Sequence, residues 1–83
     1  MYDKNKYIDE NQSVIEKEYK EVMEIVLKDL KKNGCHRGHF NFNCSGGVII
    51  EVTNKIKRWC NENMWTFEFQ ADPFTQSLKL EIY

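Results

Sequence analysis

Cys35, His36, His39 and Cys44 fall within ten residues of one another and combine thiolate and imidazole, the donors that tetrahedral zinc takes. Their spacing argues against a metal centre. No CxxC or HxxxH pair completes a known ligand pattern, and strand alternation aims His39 and Cys44 at opposite faces. The competing assignment is a loop Cys35, surface histidines at 36 and 39, and a core Cys44. Nucleophilic catalysis needs a thiol or hydroxyl beside an oriented base, and Cys35 with His36 or His39 is the only local pairing. Two carboxylates for acid and base work would have to come from Glu68 and Glu81 on neighbouring strands, which point to the open sheet face. No catalytic residue, metal or cofactor is assigned, and the expectation is a protein that is not an enzyme.

A second constellation is Ser45-Gly46-Gly47 between an extended and a helical segment. Glycines there let backbone N–H groups approach an anion at the positive end of a helix. The pattern is far shorter than a P-loop and lacks its Lys, and a plain Ser N-cap explains it equally. Lys55, Lys57 and Arg58 form a small basic cluster on the outer side of the helix that follows, which Arg37 from the preceding loop can join. Together these residues define an alternative function, a small nucleic-acid or phosphate-ligand module whose binding is weak and salt-sensitive.

The third constellation is a surface. His39, Asn41, Asn43, Thr66, Glu68, Gln70, Lys79, Glu81 and Tyr83 occupy the polar phase of alternating segments. Amides, a hydroxyl and an imidazole in one plane suit recognition of a protein surface or a base edge. Sheets that read single-stranded RNA carry stacking aromatics on that face, and here only Tyr83 qualifies.

The elements that must position these groups follow from periodicity. Residues 1–10 show no period and are expected to be a loosely ordered arm, leaving 11–83 as one domain. Ser13 with Glu16 makes an S-x-x-E capping box, and Ile15, Tyr19, Val22, Met23, Val26, Leu27 and Leu30 trace one helical face as far as Asn33-Gly34. Glu16 with Lys20 and Glu24 with Lys28 stand four apart in the favourable order. His39 to Cys44 alternates as a strand, with Phe40, Phe42 and Cys44 inward. Residues 48–52 are β-branched enough for a strand, yet Ile49, Val52, Ile56, Trp59 and Cys60 form one continuous helical stripe, which favours a helix from about Gly47 to Asn61. Trp65, Phe67 and Phe69, then Leu78, Leu80 and Ile82, mark two further strands that pair antiparallel around Asp72-Pro73. The predicted fold is α+β in the order α-β-α-β-β, a three-stranded sheet with two helices on one face and a polar, open opposite face. The strand order is left open.

Composition sets the remaining bounds. At 83 residues the chain supports one core with little stability to spare, so dimerisation is a plausible supplement. Twelve basic residues against thirteen acidic give no global attraction to nucleic acid or anionic lipid. Three cysteines without a framework suit a reducing compartment, and no segment is apolar and long enough for a signal or a membrane span. A cytoplasmic location is expected. One Ala and two Arg against ten Lys, eight Asn and seven Ile are what an AT-rich genome tends to encode. The leading expectation is a non-enzymatic binding protein that occupies a surface of another macromolecule through the polar face and an adjacent edge, in the manner of a phage- or virus-encoded accessory protein that modulates or inhibits a host protein. A protein partner is favoured over nucleic acid. Self-assembly is a further alternative: the terminal strand ending in Tyr83 pairs with its twin, or Tyr7 and Ile8 of the arm bury each other across a two-fold axis.

Overall fold

The computed structural model describes residues 1–83. Three helices, α1 (Lys4–Glu10), α2 (Gln12–Asn33) and α3 (Gly46–Glu62), and three strands, β1 (His36–Asn41), β2 (Phe67–Asp72) and β3 (Ser77–Ile82), follow in the order α1-α2-β1-α3-β2-β3. The sheet is antiparallel throughout and runs β1-β3-β2. Helix α3 therefore carries the chain from one edge of the sheet to the other, and the last strand fills the gap between them. Helix α2 packs on β1, α3 on β2 and β3, and the two long helices on each other. The α+β architecture is the expected one. No helix is long and apolar enough to cross a membrane.

The core is the meeting of three apolar stripes. Ile15, Val22, Met23, Val26 and Leu30 come from α2, Ile49, Val52, Ile56 and Cys60 from α3, and Leu78, Leu80 and Ile82 from β3, all buried. The spacings of three and four put each helical set on one face, and the alternation of β3 aims its apolar residues at the helices. The stretch 48–52 is helical, because Val48, Ile49 and Val52 all find burial on the stripe that continues to Cys60. Gly34 ends α2 at φ +72°, its N–H donating to the Leu30 carbonyl, in the left-handed cap that glycine adopts without a Cβ penalty.

Three local expectations are corrected. Residues 4–10 are not a loose arm but helix α1, capped by Asp3, whose carboxylate accepts from the Lys6 N–H at 2.9 Å. Seven residues cannot sustain a helix alone. This one is held by Tyr7 and Ile8, which are partly buried and pack against the core. The Ser13–Glu16 capping box does not form, since α2 starts at Gln12 with Asn11 as its cap. Glu16 instead accepts from Gln12 and pairs with Lys55 of α3 at 2.5 Å, a link between helices rather than the expected one to Lys20. Finally, β1 begins at His36, directly after the Gly34 cap, and leaves the ladder after Asn41. The inward phase of Phe40 and Phe42 is as expected, but Asn43 and Cys44 lie in the bend that leads to α3.

Candidate functional site

All the helices lie on one side of the sheet, so the other side is bare. Register sets its pattern in three cross-strand rows. Arg37, Glu81 and Glu68 form the first, His39, Lys79 and Gln70 the second, and Asn41, Ser77 and Asp72 the third. Thr66 and Tyr83 extend the ladder by one pair, through N–H to carbonyl bonds of 2.7 and 3.0 Å in each direction. Eight of the nine residues expected on the polar face are thus brought together: His39, Asn41, Thr66, Glu68, Gln70, Lys79, Glu81 and Tyr83. Asn43 is exposed but outside the sheet.

Three members escaped the sequence reading. Arg37 does not join the basic cluster of α3. It stands on β1 opposite Glu81, with Nε and Nη2 donating to one carboxylate oxygen at 2.8 and 2.6 Å. Its signal was parity, since Arg37 shares phase with His39 and Asn41 once the strand starts earlier. Ser77 and Asp72 complete the third row. Asp72 also accepts from the backbone N–H groups of Thr75 and Phe74, and these bonds hold its carboxyl below the ordinary value.

The first row holds an electrostatic conflict. Glu68 and Glu81 face each other directly across β2 and β3, and like charges in that position are destabilising. Arg37 satisfies Glu81 only. Tyr83 lies beside the pair, and the Glu68 carboxylate, ahead of slight desolvation, pushes its hydroxyl above the usual tyrosine range. Glu68 therefore makes no ion pair of its own and sits among Tyr83, Gln70 and, diagonally across β3, Lys79.

The other two constellations fare differently. Tyr7 covers the start of α3. Its hydroxyl is hydrogen-bonded to Ser45 Oγ, and a Cβ on Gly47 would fall 2.6 Å from its ring, as one on Gly46 would from the Pro73 carbonyl oxygen. Close packing thus accounts for both glycines, while the Ser45 side chain makes no cap bond. Lys55, Lys57 and Arg58 lie ten or so residues further along α3, about 15 Å away at the helical rise, and Lys55 is committed to Glu16. The anion-binding residues do not converge on one site.

No group of three His, Cys, Asp or Glu side chains converges to hold a metal. Cys35 is exposed and Cys44 half-buried, while burial, with a smaller push from Glu18, raises the Cys44 thiol. Burial alone drives Cys60 up to about 11. His36 is not the expected surface histidine. It is 4 % exposed, paired across the ladder with Ile82, and its Nδ1–H donates to Asp29 of α2 at 2.6 Å. The ring lies over Gly38, where a Cβ would come within 2.7 Å of Nε2, so the missing side chain at 38 makes room for the imidazole. Nε2 itself is buried without a partner. The pair ties α2 to β1 beneath the sheet face rather than on it.

No family model matches this sequence, and comparison with curated proteins and with solved structures returned no match.

Proposed function

We propose that the chain is a non-enzymatic binding protein that occupies a surface of a protein partner through the outer sheet face. The observation behind this reading is the bare face, built of cross-strand rows that mix cation, carboxylate, amide and imidazole, with one carboxylate, Glu68, set against another. A face tuned only for stability would alternate the charge signs across β2 and β3. Local conflicts of this kind concentrate where recognition is at stake. A partner that brings a cation or hydrogen-bond donors to Glu68, between Tyr83 and Gln70, relieves the conflict and gains a charge-assisted bond.

Three unpaired cysteines, one of them exposed, support action in a reducing cytoplasm. The AT-rich residue usage supports a phage- or virus-encoded accessory protein that acts on a host factor. The test is an affinity capture from the source cell's lysate, washed at low and high salt with and without nuclease, using the native chain beside Lys79→Ala and Lys57→Ala variants. One protein retained through high salt and nuclease, and lost with Lys79→Ala but kept with Lys57→Ala, is the expected result. Capture that vanishes with salt or nuclease, or that follows Lys57 instead, overturns it in favour of phosphate recognition by α3.

A further inference from the structure

The terminal strand expected to be an open edge is the middle of the sheet, so pairing through it is closed off. The edges are β1 and β2, and they are not equivalent. On β2 the Thr66–Tyr83 pair donates and accepts in both directions, so by alternation Thr66, Glu68, Gln70 and Asp72 direct their backbone groups to β3. Phe67, Phe69 and Ala71 direct theirs outward. Phe67 and Phe69 stack at 5.0 Å, and Phe69 is 47 % exposed although it faces the helix side, so α3, which packs on β2, leaves the outer flank of Phe69 uncovered. β2 carries no lysine, the charge most often used to protect such edges, and its two charges, Glu68 and Asp72, stand on the outer face. Past its two ends stand the most exposed large apolar side chains beyond the first residue, Met64 at 93 % and Phe74 at 95 %.

We propose that β2 pairs antiparallel with β2 of a second copy about a two-fold axis through Phe69, making one continuous six-stranded sheet. Charge selects this register. Centring on Glu68 would set Glu68 against its twin, and centring on Gln70 would set Glu68 against Asp72, whereas centring on Phe69 sets Glu68 against Gln70 and Thr66 against Asp72. The same register lays Phe69 on Phe69 and Phe67 on Ala71, and brings the end of β2 that carries the Met64 turn to the end that carries the Phe74 turn of the other copy. The exposed flank of Phe69 is covered, and the outward N–H and C=O groups of Phe67, Phe69 and Ala71 find partners. Because the axis is perpendicular to the sheet, both bare polar faces come to the same side. The dimer rests on the edge alone and stands whether or not that face binds a partner.

The full chain is followed by sedimentation equilibrium over a micromolar to hundreds-of-micromolar series, beside Phe69→Lys. A dimer that Phe69→Lys converts to a folded monomer is expected. For register, Glu68→Cys and Gln70→Cys are made separately in a Cys35→Ser background, one carrying a mass tag, then mixed and oxidised. Directly opposed non-hydrogen-bonded positions stand about 4.5 Å apart at Cα, within the span of a disulfide. The mixed disulfide should therefore exceed either homodisulfide several-fold. A monomer at every concentration, a dimer that survives Phe69→Lys, or a predominance of either homodisulfide overturns the proposal. Each variant's capture of a protein partner is scored separately, so loss of the dimer and loss of partner binding are told apart.

Discussion

Strand β3 presents two surfaces only one residue apart. Leu78, Leu80 and Ile82 are buried in the core beneath the helices, while Ser77, Lys79 and Glu81 look outward with no helix over them. The backbone ladder is common to both sets, so what separates them is what each side chain loses on exposure. The inner set gains roughly 25 cal/mol for every Å² of apolar surface removed from water. The outer set gains little from its neighbours and in one row works against itself. In this small domain stability is concentrated on one side of the sheet, and the other side is under little demand from packing.

The largest effect expected on the inner side is from Leu80→Ala. It leaves a cavity among α2, α3 and the strand, and should cost about 3 kcal/mol in a denaturant titration. A loss under about 1 kcal/mol would mean that the core collapses freely and that the contrast between the faces is weaker than drawn. Next comes the link between α2 and β1. Asp29→Ala strands the His36 Nδ1–H in the interior, at a cost of about 1–3 kcal/mol for an unsatisfied buried donor. His36→Phe removes the donor as well and leaves only the half-exposed carboxylate behind, so it should cost distinctly less. The reverse order would show that the imidazole contributes by shape rather than through Asp29.

How much of this was legible in the sequence depends on how local the cause is. The stripes of α2 and α3 and the phases of β2 and β3 are set by residue spacing, and they were readable even where β-branching at 48–52 argued otherwise. The polar face followed from phase alone, which is why it came out nearly whole. Helix α1 was not legible because its support is remote: Tyr7 meets Gly47 and Ser45, a contact made only once the chain is folded. Its one local sign was Asp3 ahead of Lys6. His36 was misplaced for the same reason, since Asp29 lies seven residues away across a helix end whose geometry decides whether the two can touch. The position of β3 between its sequence predecessors is topological, and no spacing encodes it.

On the outer side the expected effects on stability are small. Lys79→Ala should move the unfolding free energy by no more than about 0.5 kcal/mol while abolishing capture of a partner. A loss as large as those of the inner-side substitutions would make the face structural. The smallest effect, and the one that discriminates most finely, is from Glu68→Gln. Removing one of two opposed carboxylates should stabilise the domain by about 0.5 kcal/mol or less, an unusual sign for a surface change. It also removes the main influence that raises the Tyr83 hydroxyl in the folded state. A group raised on folding supports the native state below its unfolded value of 10.0 and loses that support as the pH climbs through the higher folded value. Stability of the native chain should therefore decline above pH 10, and Glu68→Gln should flatten the part of that decline due to Tyr83. If the same substitution weakens partner capture while strengthening the fold, then Glu68 is retained at the expense of the sheet that carries it, as a recognition residue would be. If capture is unchanged, the first row is only a tolerated defect, and the recognising groups must be sought in the rows of Lys79 and Ser77.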